Sequence, residues 1–264
     1  MSPTSTSLEG RTYAVTGATS GIGQATATWL RDRGGRVIAC DLRDAEVVSD
    51  LATADGRAAL VDGVARLCGG RLDAIVANAG GGPPETMLAL NFFGAVATLE
   101  GLRPLLAESP APRALAVSSV SSLSPADPEL LAACLAGDED AAIAKASGDA
   151  GAAPLDLYGV AKSALNRWCR RMAVAPQWAG AGIPLNVVAP GVIDTPAAAW
   201  ILSNAETKAR MDQMTPLPGV RPGQPGQMAA LIGWLAGPEN ALLTGQVLFA
   251  DGGLECLARG ELTW

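Results

Sequence analysis

Two side chains near the middle of the chain have the types and spacing for proton chemistry. Tyr158 and Lys162 lie within LDLYGVAKSALN, residues 155–166, in a segment with helical character. Four residues apart on a helix means one face, one turn up. A phenol titrates near pH ~10 in isolation, and a neighbouring cation favours its ionised form. A tyrosine tuned this way exchanges a proton with a substrate alcohol near neutral pH. The same pattern also fits a half-buried aromatic beside a solvated lysine. Two features favour chemistry: the chain has no histidine, which removes the usual near-neutral proton carrier, and its other tyrosine, Tyr13, sits in an apolar strand where packing explains it.

Other groups in the chain have the types to bind rather than react. RTYAVT, residues 11–16, is a β-rich run followed by GATSGIG, residues 17–23, and then an apolar-periodic segment over 24–33. In strand–turn–helix context Gly17 allows the tight turn, Gly21 a close approach of phosphate to backbone, and Gly23 close helix–strand packing. The helix N-terminus then offers N–H groups and a positive dipole end to a pyrophosphate. A second strand, 36–40, ends in Asp41, roughly 20 residues past the turn, where a carboxylate accepts from ribose hydroxyls and repels a 2′-phosphate. NAD is therefore expected over NADP. Arg36 and Arg43 lie nearby and read as surface arginines.

These groups need elements to hold them. A third strand is expected over 46–51, a helix over 54–68, and a fourth strand over 72–77 that opens into the glycine-rich Asn78-Ala79-Gly80-Gly81-Gly82. A long helix over 88–106 carries Asn91 near its start, either a tolerated polar residue or one whose amide is needed inside. Strand five, 114–117, ends in the serine run Ser118 to Ser122, which either forms turns or offers a hydroxyl to a substrate oxygen. A helix from Tyr158 is expected to reach about Trp178, with Pro176 kinking it or ending its regular part. Strand six, 185–189, precedes PGVIDTP; a helix over 227–236 and a last strand over 246–250 end in Asp251-Gly252-Gly253. Alternating strands and helices imply right-handed βαβ units and a parallel sheet, with ligands beyond the carboxyl ends of the strands.

Two stretches stand outside that alternation. Residues 124–154 are rich in alanine and acids, with helical patterns over 127–136 and 138–147; they read as an insertion that shapes a pocket mouth or blocks an assembly surface. Residues 197–226 carry Trp200, Ile201, Met211 and Met214 among many prolines and glycines. That composition suits a mobile lid over an apolar substrate, or a surface helix packed on the core. Residues 1–10 read as a flexible lead-in.

Composition sets the bounds. The chain has 264 residues, 49% hydrophobic and 17% charged, with a net charge of −7 and no basic run, so nucleic acid and anionic membranes are not expected partners. No apolar run reaches membrane-spanning length and the first residues are not a signal peptide. Cys40, Cys68, Cys134, Cys169 and Cys256 are widely spaced without C-x-x-C, so neither a zinc site nor a disulfide framework is expected, and the reading is a cytoplasmic protein with reduced thiols. The absence of histidine excludes a Ser-His-Asp triad and an H-E-x-x-H metal site.

Taken in order, TGATSGIG, Asp41, Asn78-Ala79-Gly80, Asn91, the serine run, Tyr158-x-x-x-Lys162, Pro190-Gly191 and Asp251-Gly252-Gly253 resemble the short-chain dehydrogenase/reductase family over nearly the whole chain. The resemblance implies one Rossmann-type α/β domain with a doubly wound parallel sheet over 1–264, and an NAD-dependent oxidoreductase of the alcohol/ketone type. It assigns Tyr158 as general acid/base, Lys162 as its tuning group and a nicotinamide-ribose ligand, and Ser119 as the substrate-oxygen donor, with Ser118 and Ser121 as weaker candidates. Asn91 would hold a relay water. Gly17, Thr19, Ser20, Gly21, Ile22, Gly23, Asp41, Leu42, Asn78, Ala79, Gly80, Pro190, Gly191, Ile193 and Thr195 would line the cofactor site, Thr195 at the carboxamide. The short crossover over 40–57 and the long gap between Ser119 and Tyr158 are similar to a hydroxysteroid-oxidising branch of that family. On that likeness Asp50 and Leu51, rather than Asp62, contact the adenine. Trp200, Ile201, Met211 and Met214 would face an apolar cyclic alcohol or ketone, a steroid first and a monoterpenoid second, in a homodimer or homotetramer. Ala77 replaces the first asparagine of the usual N-N-A-G, while Asn78 remains.

Overall fold

Runs of valine, isoleucine and alanine, too short for helices and flanked by glycine turns, form the centre of the molecule. The computed structural model describes residues 7–148, 154–218 and 222–261. Its strands are β1 (Thr12–Thr16), β2 (Arg36–Asp41), β3 (Val47–Val48), β4 (Ala74–Ala77), β5 (Arg113–Val117), β6 (Leu185–Pro190) and β7 (Val247–Ala250). They form one seven-stranded sheet in the order β3-β2-β1-β4-β5-β6-β7, with every neighbouring pair parallel. This is the doubly wound Rossmann arrangement, and its topological switch lies between β1 and β4, where a crevice opens at the carboxyl ends.

The pleat sends alternate residues to opposite faces. Tyr13, Val15, Ala74 and Val76 enter a core shared with Ala27, Leu30, Met228 and Ile232 of α1 (Gly21–Arg31) and α9 (Pro225–Ala236). Ala14, Ile75 and Ala77 face the other core, packed by α2 (Ala54–Leu67), α3 (Ala95–Leu102) and α6 (Pro154–Met172). Helix α1 buries Gly23, Thr26, Ala27 and Leu30, the spacing of one helical face. The insertion forms α4 (Pro128–Ala136) and α5 (Glu139–Gly148); α4 packs on α6 through Leu130, Leu131 and Cys134. Beyond β6 come α7 (Ala199–Leu202) and α8 (Ala205–Met214), and after β7 a short α10 (Leu254–Arg259). Among the described residues no helix is long and apolar enough to cross a membrane.

Several sequence expectations are corrected. Residues 1–6 lie outside the described part, but Leu8 is buried, 2% exposed, and its N–H donates to the Arg33 carbonyl at 2.8 Å, so 7–10 belong to the folded body. The helix bearing Tyr158 stops at Met172 rather than near Trp178. Pro176 has no N–H to donate and disfavours helical backbone at Ala175, so the chain turns there. The expected helix over 88–106 is three pieces: a π-helix at Ala89–Gly94, then α3, then a 3₁₀ turn at Arg103–Leu106 containing Pro104. Only two residues of the third strand pair, and α10 has no counterpart in the sequence expectation. The insertion's residues 149–153 and the lid's residues 219–221 lie outside the described part.

Candidate active site

The turn after β1 is shaped by its own glycines. Gly17 and Gly21 have φ of 66° and 51°, backbone that side chains disfavour. A Cβ on Gly23 would run into the Gly17 carbonyl and lie 2.7 Å from the Gly17 carbonyl carbon. The cradle therefore closes only because that position is bare. Thr16 finishes the strand; its Oγ1 accepts from the Asn78 and Ala79 N–H groups, both at 3.0 Å, while Asn78 Nδ2 donates to the Thr16 carbonyl at 3.0 Å. Asn78-Ala79-Gly80 is thus fastened to the first turn. Thr16 was not anticipated, although a threonine closing a strand before a glycine turn is a readable signal.

Asp41 ends β2 beside this turn. Its Oδ2 accepts from the Thr19 N–H at 2.9 Å and from the Thr19 hydroxyl at 2.7 Å, and Oδ1 accepts from the Leu42 N–H at 2.7 Å. Asp50 is exposed and Leu51 buried, and α2 approaches them closely at Gly56. Arg36 donates to the Leu67 carbonyl. On the far side of the crevice Ile193 bridges Gly223, and Thr195, just before the 3₁₀ turn at Pro196–Ala198, has its side chain 3.1 Å from where a Gly21 Cβ would sit. Residues 190–195 and the first turn therefore meet.

Tyr158 and Lys162 lie one turn apart on α6. Lys162 is buried, 2% exposed, and Nζ donates to the Val117 carbonyl at 3.0 Å, 5.5 Å from the centroid of the Tyr158 ring. Burial lowers the Lys162 ammonium from 10.5 to about 8. Burial also pushes the Tyr158 phenol above its ordinary value, and the influence of the Ser119 hydroxyl, which pulls the other way, is smaller. The expectation that Lys162 draws the phenol down is not met here. The ammonium is turned to Val117, and its own lowered value leaves it losing charge before the phenol ionises.

Ser119 caps the turn Val120–Leu123, its Oγ accepting from the Ser121 N–H at 3.1 Å and donating to Ser121 Oγ at 3.2 Å. Ser118 is buried and its hydroxyl donates to the Lys162 carbonyl at 3.3 Å. Gly159 lets α6 approach this turn: a Cβ there would lie 2.9 Å from the Ser121 carbonyl. Gly159 was missed at the sequence level, although a glycine directly after a candidate tyrosine in a helix is a visible oddity.

Asn91 is fully buried in the π-helix. Its Nδ2 donates to the carbonyls of Gly81 and Met87 at 2.9 and 2.8 Å, and its Oδ1 accepts from the Gly81 N–H at 3.0 Å. The amide is occupied in locking the glycine-rich loop to the helix. A Cβ on Gly80 would lie 2.8 Å from Asn91 Oδ1 and 3.3 Å from Lys162 Nζ, which brings Asn91, Lys162 and this loop together.

A cavity of about 700 Å³ opens past the carboxyl ends of β6 and β7, walled by Gly191–Ile193, Ile201, Met211, Met228, Phe249 and Cys256. Two of the four expected lid contacts, Ile201 and Met211, line it. Trp200 (53% exposed) and Met214 do not, and neither do Tyr158 and Ser119. The α10 helix, whose Cys256 lines the cavity, packs against Val120–Leu123. Phe249 and Met228 were not anticipated, because only the fold brings β7 and α9 beneath α8. No group of metal-ligating side chains occurs among the described residues.

Residues 11–128 match the short chain dehydrogenase family model, and residues 138–255 match a second model described as enoyl-(acyl carrier protein) reductase. The chain is 33% identical over 253 residues to the 3-alpha-hydroxysteroid dehydrogenase/carbonyl reductase of Comamonas testosteroni, covering 93% of this chain and 96% of that one. A tropinone reductase homologue of Arabidopsis thaliana is 30% identical, covering 94% of each chain. Among solved structures, the 3-alpha-hydroxysteroid dehydrogenase of Pseudomonas sp. B-0831, complexed with NADH, superposes with a TM-score of 0.86 at 35% identity, covering 95% and 99% of the two chains. The RhlG/NADP active-site complex of Pseudomonas aeruginosa gives 0.72 at 28%, covering 94% and 97%. The chain belongs to the short-chain dehydrogenase/reductase family, and it is an oxidoreductase related to the hydroxysteroid dehydrogenases.

Proposed function

We propose that this oxidoreductase uses NAD(H) to interconvert a secondary alcohol and a ketone on an apolar alicyclic substrate. The observation that carries the reading is Tyr158, one helical turn from the buried Lys162 on α6, which packs against the turn capped by Ser119 after β5. Bound NAD supplies the hydride acceptor. The chain's own groups do the rest. Tyr158 takes the hydroxyl proton of the alcohol, Ser119 donates to the same oxygen as it becomes a carbonyl, and both contacts strengthen as charge gathers there. Lys162 holds the nicotinamide ribose. Asn91 fixes the loop of Asn78, Ala79 and Gly80 that borders the ribose.

The residues fit the dinucleotide. The cradle of Gly17, Thr19, Ser20, Gly21, Ile22 and Gly23 leaves open backbone where a Cβ would intrude, at the N-terminus of α1. Asp41, with Leu42, offers a carboxylate to ribose hydroxyls and opposes a 2′-phosphate, which favours NAD. Relatives on this fold include complexes of both cofactor types, so the preference rests on that side chain. Asp50 and Leu51 flank the adenine; Pro190, Gly191, Ile193 and Thr195 hold the nicotinamide end. The apolar cavity under Ile201 and Met211 supports a cyclic hydrocarbon skeleton, a steroid first and a monoterpenoid second. The four buried thiols support a reducing compartment such as the cytoplasm, the net charge of −7 argues against nucleic acid or anionic membrane as partner, and the homo-oligomer reading rests on the family likeness alone.

The test follows NADH absorbance with hydroxysteroids, cyclic terpenols and their ketones. Wild type is expected to turn over at least one class, and Tyr158→Phe to lose about 10²–10⁴-fold in kcat with NAD affinity kept. Wild type that binds NAD yet oxidises nothing in the panel overturns the reading.

A further inference from the structure

Arg57, in the first turn of α2, makes an unusual set of contacts. Its Nε donates to the Leu51 carbonyl at 2.9 Å and its Nη2 to the Ala89 carbonyl at 2.9 Å. The same guanidinium grips Glu139 with both Nη atoms, at 2.6 and 2.7 Å. Both side chains are mostly shielded, 13% and 28% exposed. Parallel two-point pairing of this kind is directional as well as strong, and the planar fork of an arginine keeps donors for two carbonyls beside it.

The three partners belong to three separate parts of the molecule. Leu51 follows Asp50 in the loop after β3, Ala89 opens the π-helix that bears Asn91, and Glu139 opens α5 of the insertion. The Leu51 loop is pressed against the same π-helix, since a Cβ on Gly94 would lie 2.8 Å from the Leu51 carbonyl. On the other side Gly56 of α2 closes on the Asp50 backbone. Arg57 is thus the common bolt of a joint whose inner members border the crevice, and its outermost member is the insertion.

We propose that Arg57 is a positioning residue and that, through Glu139, the α4–α5 insertion braces the adenine side of the dinucleotide site. The inference rests on the reading of Asp50 and Leu51 as the adenine flank. With Glu139 in place the guanidinium is fixed in the plane that serves both carbonyls. Without that carboxylate it rotates toward water, and the Leu51 loop loses its tether. The insertion then contributes to cofactor affinity through Arg57.

AMP, which carries only the adenosine half, isolates the effect. Kd for AMP and for NAD is measured by titration calorimetry for wild type, Glu139→Gln and Arg57→Lys, with melting temperature as the folding control. Hydrogen exchange of residues 139–147 is followed with and without AMP. Each variant is expected to weaken AMP by about 3–10-fold while melting within a few degrees of wild type. The double variant should be no worse than the weaker single, because the pair acts as one unit. AMP should slow exchange in α5 of wild type and not of Glu139→Gln. Unchanged AMP affinity in both folded variants, or α5 exchange indifferent to AMP in wild type, overturns the proposal. Wild type that binds neither AMP nor NAD overturns the functional reading and this inference with it, an outcome distinct from the variant result.

Discussion

Lys162 carries its charge into the interior, where the Val117 carbonyl is the partner that holds it. A lysine lowered from 10.5 to about 8 binds fewer protons folded than unfolded, so this group makes stability rise with pH between those values and weakens the fold below them. Lys162→Met removes that penalty and strands the Val117 carbonyl, a partial offset of about 1–3 kcal/mol. The variant should therefore melt higher than wild type at pH 7, with the gain fading by pH 10.5, while turnover falls; thermal melts across that range check it. An equal or lower melting point at pH 7 would count against a charged, strained lysine. Stability surrendered at a reactive group is a common trade in enzymes.

At the scale of elements, the spacing between α6 and the serine turn depends on Gly159. Gly159→Ala brings a methyl to 2.9 Å from the Ser121 carbonyl, so the turn and Ser119 must shift by a few tenths of an ångström. Helix propensity gains about 1 kcal/mol from the same change. The expected outcome is kcat lowered roughly tenfold with little loss of melting temperature and NAD affinity kept, read by steady-state kinetics and calorimetry. The elements themselves were largely legible: glycines at 17, 21 and 23 announce their backbone, and alternating apolar runs announce a buried parallel sheet. Three features were not. A π-helix at Ala89–Gly94 has no side-chain signature distinct from an α-helix. Pro176 announces a break, but the path after Met172 brings Trp178 back onto Trp168, at 6.5 Å between ring centroids, a contact that periodicity does not encode. The pairing of Arg57 with Glu139 joins residues far apart in the chain, and neither charge is unusual in its local setting.

For the molecule as a whole, the two ends of the sheet differ in kind. Every group assigned to chemistry or cofactor follows the carboxyl end of a strand. The amino ends carry a different cluster: Asp73, 1% exposed, accepts from the Thr12 N–H at 2.8 Å and the Ser109 hydroxyl at 2.6 Å and pairs with Arg11 at 3.9 Å. Arg11 in turn donates to the Tyr13 phenol at 2.9 Å and the Ala111 carbonyl at 2.9 Å, which explains the second tyrosine beyond packing. Asp73→Ala leaves Arg11 buried without its carboxylate and should cost about 3–5 kcal/mol. Urea denaturation should register that loss while NAD affinity and kcat of the folded fraction stay at wild-type values. A shift in NAD affinity would mean the two ends are coupled.

The all-parallel sheet has a consequence for how variants of this chain would sort. Because β1 and β4 begin at a shared polar anchor and finish at the proposed cofactor site, changes at the one edge should be felt as heat tolerance and yield of protein. Changes at the other edge should be felt as selectivity and speed. A survey of random substitutions scored for both traits would then divide along the strand direction, whichever layer of helices the altered residue faces.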